Sequence, residues 1–107
     1  MNPFPPFVVE ATILGSQGVI QPNTVLGIVT ASGKMKIAAS GSSDGSQTLA
    51  ALSNGVIDTT SGDVTGPVLI ANAFLPKSGI VCSGSDTTST FFNILGQAKS
   101  GVNLYVF

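Results

Sequence analysis

The stretch that decides the fold runs from Thr24 to Phe74 and reads TVLGIVTASGKMKIAASGSSDGSQTLAALSNGVIDTTSGDVTGPVLIANAF. It consists of short apolar runs rich in β-branched residues, and each run is bounded by Gly, Ser, Asp or Asn. Val and Ile favour extended strands, whereas the small polar residues favour turns. Between Lys34 and Ala39, Met35 and Ile37 alternate with lysines, which is typical of a half-exposed strand. The stretch therefore predicts a β-rich domain with short connections.

The segments on either side of this stretch extend the same pattern. Residues 8–14 are predicted to form a first strand, and residues 1–18 are assigned to an N-terminal arm plus that strand. Residues 19–107 are assigned to a single β-rich domain, which ends in a terminal strand at 102–107. Between them, Asp86 or Thr87 is predicted to cap one short C-terminal helix that reaches about Lys99. Its apolar residues fall at helical spacing on one face: Phe91, Ile94, Leu95 and Ala98.

Two positions inside the strands leave alternatives open. Asn54-Gly55 is a strong two-residue hairpin signal, but the same dipeptide also fits a bulge or bend within one strand. We favour the bulge. Pro67 lies in the most apolar run, residues 64–74, and a proline there favours an edge position or the start of a strand.

The composition limits the class of protein. With 107 residues and 43% hydrophobic residues, the chain suits one compact domain with a real core. Only 8% of the residues are charged, against about 25% in an ordinary soluble domain. Ser, Thr and Gly must supply most of the surface polarity. One interpretation is a weakly charged soluble β domain; the interpretation we prefer is that much of the surface becomes an interface in an assembly.

Charge and cysteine content exclude several partners. The net charge is −1, there is no Arg or His, and the four lysines are scattered. Nucleic-acid binding needs clustered cations, so direct contact with DNA or RNA is not expected. No apolar run approaches the roughly 20 residues that span a bilayer, and we expect neither a membrane partner nor a secretory signal. Cys82 has no partner for an internal disulfide, which fits synthesis in a cytoplasm.

Catalytic and metal motifs lead to no active site. Residues 41–45 read GSSDG and satisfy the G-x-S-x-G pattern of a hydrolase nucleophile, yet a chain without His lacks the usual base for Ser43. Residues 58–63, DTTSGD, do not have the spacing of a calcium loop, and a role in forming the turn explains them better. Zinc is excluded by the ligand count. We therefore expect no enzyme activity, no cofactor and no metal.

Five elements of the opening stretch occur in one order that resembles a known family. They are a TVLG-to-TASGK hairpin at 24–34, an SDGSQT loop at 43–48, a hydrophobic strand, a GDV turn at 62–64 and an apolar PVLI strand at 67–70. This order is similar to that of the lambda-type head decoration proteins of tailed bacteriophages. The resemblance implies a β-clip type of fold, a bent ribbon whose ends form an incomplete barrel. It also implies a structural protein of the virion.

The family resemblance further implies how the protein would act. It would be a homotrimer on the outside of the expanded head, at local three-fold positions of the major capsid protein lattice. There it would stabilise the shell against the packaged DNA. An alternative is a small β-rich adhesion or surface-binding module, which would share the low charge and the Ser/Thr-rich strands.

The N-terminal arm is the candidate docking element. Three prolines bias it toward an extended path, and its phenylalanines are large apolar groups. Such an arm can pair with an open sheet edge on a partner. In the family the N-terminal arm meets the capsid shell, which implies a capsid-binding role for Pro3, Phe4, Pro5, Pro6, Phe7, Val8 and Val9. The alternative is a tail that packs on its own domain or is disordered.

Overall fold

A computed structural model describes residues 7–71, 73–83, 86–92, 98 and 104–106. This part of the chain is mostly β, as predicted. Its strands are β1 (Phe7–Ile13), β2 (Val19–Ile20), β3 (Val25–Ile28), β4 (Met35–Ile37), β5 (Ala51–Ser53), β6 (Ile57–Asp58), β7 (Val64–Ala71), β8 (Ala73–Leu75) and β9 (Leu104–Val106). A 3-10 turn covers Lys77–Gly79, and a single helical turn, α1, covers Thr88–Phe91.

Five strands form a barrel in the order β1-β4-β3-β5-β7, with β7 pairing back to β1. All of its pairings are antiparallel except that of β1 with β4, which is parallel and consists of one pair, Ile13 with Met35. Two small sheets accompany the barrel. One is the antiparallel ribbon of β2 and β6, and the other is the parallel pair of β8 and β9.

Where β3, β5 and β7 lie side by side the barrel sheet is buried on both faces, and the alternation of side chains along these strands explains how. Neighbouring residues of β3, β5 and β7 enter opposite cores: Leu26, Ala51 and Val68 join one, and Val25, Leu52 and Leu69 join the other. The first core also takes Ile13 and Met35, so that all five strands contribute and it fills the barrel interior. The second core lies on the outer face. There the C-terminal part covers the sheet through Phe91, Phe92, Ala98, Leu104 and Val106.

The Asn54-Gly55 dipeptide is a bend between two strands, so both the hairpin and the favoured bulge within one strand are wrong. β5 pairs with β3 and β7 in the barrel, whereas β6 pairs with β2 in the separate ribbon, so the two strands that flank the dipeptide do not pair with each other. Gly55 has a φ of 126°, which L side chains rarely adopt. The dipeptide therefore redirects the chain from the barrel into the ribbon.

Pro67 lies in the middle of β7, yet it leaves no gap in the ladder with β1. Its carbonyl accepts a hydrogen bond from the Asn54 amide at 3.0 Å, so its nitrogen also points toward β5. The last residue of β5 is Ser53, which pairs with Val68. Since β7 pairs with both β1 and β5, the expected edge or strand-start position is wrong, and the proline is tolerated because its missing donor falls where the β5 ladder ends.

The predicted C-terminal helix is not supported. The only α-helical segment in the described part of the chain is the turn α1, and Phe92 already has extended angles, with φ −121° and ψ 141°. Phe92 then bridges to Ala98 in antiparallel fashion. Residues between 88 and 91 include two threonines and a serine, which favour helix weakly, and packing of both phenylalanines on the outer core decides the conformation. The predicted helical positions Ile94 and Leu95 lie outside the described residues.

Candidate functional site

Strand β1, which follows the N-terminal arm in the sequence, is paired along its whole length on one edge and only at its end on the other. On the side of β7 it pairs from Phe7 with Ala71 to Ile13 with Val64, with a register shift between Phe7 and Val8. Hydrogen-bonded and non-hydrogen-bonded pairs alternate along such a ladder. Because Pro67 turns its nitrogen away from β1, its pair with Glu10 is a non-hydrogen-bonded one.

The opposite edge of β1 is free over the strand's first residues. The alternation directs the backbone N–H and C=O groups of Val8 and Glu10 away from β7. Among the described residues these groups have no hydrogen-bond partner. Further along, the Leu14 amide points the same way and donates to the Met35 carbonyl at 2.7 Å, which confirms the direction of the edge.

Gln17 completes the contact between β1 and β4 where the strands diverge. Its side-chain Nε2 donates to the Leu14 carbonyl at 2.6 Å, and its Oε1 accepts a bond from the Ile37 amide at 2.7 Å. The carboxamide thus links the two backbones in place of a direct main-chain hydrogen bond between them. The free edge therefore ends at the point where Leu14 and Gln17 engage β4. No sequence signal marks this role, since Ile37 is 20 residues away.

The side chains of β1 alternate between solvent and the interior. Val8, Glu10 and Thr12 are exposed, whereas Val9 packs against the barrel core and Ile13 is fully buried. Val8 is 41% exposed and so places an apolar side chain on the surface beside the free edge. Of the predicted docking residues, the backbone of Phe7 and all of Val8 and Val9 belong to β1. Pro3, Phe4, Pro5 and Pro6 lie outside the described residues.

Asp63 fixes the far end of β1. Its Oδ1 accepts a bond from the Gly15 amide at 2.8 Å, and its Oδ2 pairs with Lys34 Nζ at 2.5 Å. The hydrogen bond from Lys34, followed by that from Gly15, lowers the pKa of Asp63 below its usual value. The tie joins β1, the start of β4 and the turn before β7. It is partly exposed, so its role is positional more than energetic.

Asp44 organises the loop after β4. Its Oδ1 accepts bonds from the Ser46 hydroxyl at 2.5 Å and the Ser46 amide at 3.1 Å, and its Oδ2 meets Lys36 Nζ at 3.3 Å. These bonds, led by that of the Ser46 hydroxyl, lower the pKa of Asp44 to about 2. The G-x-S-x-G match at 41–45 is thus part of a loop built around Asp44. Ser43 in it is exposed.

The same kind of bond fixes two further segments. Asp58 accepts from the Thr60 hydroxyl at 2.6 Å and from the Thr60 amide at 3.0 Å, the turn-forming role that was predicted. Asp86 holds Ser40 through its hydroxyl at 2.6 Å and its amide at 2.9 Å. This second pair ties the segment before α1 to the loop after β4, and it could not be anticipated because 46 residues separate the partners.

A comparison with protein-family models gives a match over most of the chain. Residues 8–91 match the family described as bacteriophage lambda head decoration protein D. The chain belongs to this family. The match begins at Val8, the first residue of the free edge, and ends at the last residue of α1. A search of curated proteins found no match.

Membership of a head decoration family makes the chain a structural component of the phage head. Within the described residues no group of three or more Asp, Glu, Cys or His could hold a metal ion. No helix in that part of the chain is long and apolar enough to cross a membrane. Cys82 is partly buried against the outer core, and burial, followed by the nearby Asp86 charge, raises the pKa of its thiol. A raised pKa disfavours the reactive thiolate.

Proposed function

We propose that this member of the decoration family cements the head as a homotrimer on its outer surface. The trimer sits at local three-fold positions of the major capsid protein lattice of the expanded head and holds neighbouring capsomers against the pressure of packaged DNA. The protein is made in the host cytoplasm and acts in the virion. Its fold is of the β-clip type, with residues 19–107 forming the decoration domain behind the arm and first strand of residues 1–18.

The free edge of β1, continuous with the N-terminal arm, is the observation that carries the proposal. The N–H and C=O groups of Val8 and Glu10 face away from β7 and have no partner within the described residues. Exposed strand edges are templates for pairing with another chain. The capsid partner supplies a strand along this edge, so that main-chain hydrogen bonds give affinity.

The side chains of the arm give the contact its specificity. Val8 is exposed beside the edge, and the preceding residues add the two aromatic rings and three prolines of the arm. Prolines favour an extended backbone, and such a bias lowers the entropy lost on binding. The capsid-binding segment is accordingly Pro3, Phe4, Pro5, Pro6, Phe7, Val8 and Val9, with its backbone pairing extended to Glu10.

Trimerisation makes a modest contact sufficient. Three arms on one rigid body bind jointly, so that their free energies reinforce one another through effective concentration. A cyclic trimer also matches a three-fold site, where each arm meets an equivalent shell surface. The low charge of the chain supports association, since only 8% of its residues are charged.

The edge hypothesis is tested with undecorated expanded heads and two variants at one position. Glu10→Pro removes an N–H from the free edge, where proline is compatible with a strand, and Glu10→Thr removes the same charge but keeps the N–H. We expect Glu10→Thr to decorate heads normally and Glu10→Pro to bind at least about tenfold more weakly, equivalent to about 1.4 kcal/mol. Occupancy is measured by sedimentation of the heads and by imaging.

The outcomes distinguish failure of the edge hypothesis from failure of the proposed decoration function. Normal decoration by Glu10→Pro with a native circular dichroism spectrum would exclude pairing at this edge. Failure of the wild-type protein to bind any head form would exclude the decoration function itself. Sedimentation of the free protein tests the trimer independently.

A further inference from the structure

The three-residue link between β5 and β6 has a chemistry of its own, independent of capsid binding. It consists of Asn54, Gly55 and Val56, and Asn54-Gly55 is the single Asn-Gly pair in the sequence. Asn54 is exposed, and Val56 beside it is 62% exposed. We propose that Asn54 is a site of spontaneous deamidation, in which the Gly55 backbone nitrogen attacks the Asn54 side chain.

The reaction needs water and no other reagent. The deprotonated Gly55 nitrogen forms a bond to Cγ of Asn54, the bond from Cγ to Nδ2 breaks, and ammonia leaves with the proton. The product is a five-membered succinimide. Water then opens either carbonyl of the ring. One opening leaves an aspartate at position 54, and the other leaves an isoaspartate whose main chain passes through Cβ and Cγ. No electrons are gained or lost.

The local geometry leaves the attacking nitrogen available. The Gly55 N–H donates no hydrogen bond to any described residue. A Cβ built on Gly55 would meet nothing within 4 Å, so the space around this residue is open. The Asn54 amide, in contrast, is held by the Pro67 carbonyl at 3.0 Å. The backbone before the reacting carboxamide is therefore anchored, while the carboxamide and its attacker face solvent.

The chain contains a chemically related pair that is protected. Asp44-Gly45 could form the same ring, but the Gly45 N–H donates to Gln47 Oε1 at 2.9 Å. The Asp44 carboxylate is held by Ser46 and stays ionised at neutral pH, which makes it a poor electrophile. A following glycine is therefore not enough for a deamidation site. The 54–55 link also has a backbone N–H with no partner among the described residues and a neutral carboxamide.

Asn23 provides a second internal comparison. The residue that follows it is Thr24, which is buried and β-branched, and its N–H donates to Ser53 Oγ at 3.0 Å. A bonded nitrogen beside a branched side chain cannot readily approach the carboxamide. Among the described asparagines, Asn54 is the reactive one. Deamidation there adds one negative charge to a chain whose net charge is −1.

The test incubates the folded protein in mildly alkaline buffer and maps the mass gain of NH₂ to OH by digestion and mass spectrometry. We expect Asn54 to gain mass at least about tenfold faster than Asn23, and to give two products of equal mass that separate chromatographically. Asn54→Gln is the matched control, because it keeps an exposed carboxamide but would need a larger ring. It should lose the rapid mass gain.

Two outcomes would overturn the proposal. One is a rate at Asn54 no higher than that at Asn23 in the folded protein. The other is a mass gain at Asn54 that occurs only after denaturation, which would mean that the fold protects the link.

Discussion

The two edges of β1 differ in how much of their backbone is paired. On the β7 side the strand is paired along its whole length, whereas on the β4 side one pair, Ile13 with Met35, closes the barrel. The first edge contributes to stability, because it carries the ladder of hydrogen bonds that joins β1 to β7. The second is the edge at which we propose association, because unpaired strand groups favour pairing with another chain. Because alternate peptide groups point to opposite edges, one strand can stabilise the fold on one edge and remain available to a partner on the other.

The largest expected effect comes from removing the arm. Deletion of Asn2 to Phe7 leaves the pairs from Val8 with Leu69 to Ile13 with Val64, so we expect the domain to fold. Head attachment should be lost, since three arms at about 2 kcal/mol each would contribute about 6 kcal/mol, roughly four powers of ten in affinity. Circular dichroism checks the fold, and occupancy on undecorated heads checks attachment. Wild-type occupancy by the deletion variant would locate the contact elsewhere on the trimer.

A proline scan of β1 tests the edges directly. Val9 pairs with the fully buried Val68 in the hydrogen-bonded position next to Glu10, so Val9→Pro removes a donor from the β7 ladder. We expect it to lower the free energy of unfolding by about 2 kcal/mol or more. Glu10→Pro places its ring on the free edge and should cost less than about 1 kcal/mol. Urea denaturation of both variants checks the order. Equal losses would mean that the two edges are not distinct.

The sequence predicted the strand of this contrast but neither of its edges. The first strand was predicted at 8–14, one residue from its position in the structure. The free edge depends on which way each peptide group points once the barrel closes. That direction is fixed by distant pairings such as Leu14 with Met35. Pro67 gave a partial signal, since a strand proline must leave one side without a donor.

The predicted helix shows the limit of periodicity in a segment of weak propensity. Phe91 and Ala98 fit helical spacing, yet Phe92 is equally buried and its backbone is extended. Both phenylalanines are buried in the outer core although no continuous helix holds them. Similarly, the Asp86 clamp on Ser40 and the bridging Gln17 arise from contacts between segments far apart in the chain. No local pattern encodes them.

Lowering the pH tests the contribution of Asp63 to stability at the end of β1 that is joined to β4. The Asp63 pKa is lowered in the folded protein by Lys34 and by the Gly15 amide, so this group stabilises the fold above its ordinary pKa of about 4. The contribution is lost as the pH falls through the lowered value. Asp63→Asn should therefore show a weaker decline in unfolding free energy on acidification than the wild type. Urea titrations over a series of pH values measure this. Identical slopes would show that the tie does not contribute.

The smallest expected effects come from two side chains away from both edges. Ser43 is exposed in the loop that Asp44 organises, and the chain has no His to activate it, so Ser43→Ala should change neither stability nor head attachment. Cys82→Ser should also preserve attachment, although its partial burial against the outer core allows a loss of about 1 kcal/mol in stability. Occupancy on heads and urea denaturation measure both variants. Because Ser43 is far in the sequence from the arm, a folded Ser43→Ala protein that no longer binds would identify the 41–45 loop as a second contact with the shell. The association function would then not belong to the free edge of β1 alone.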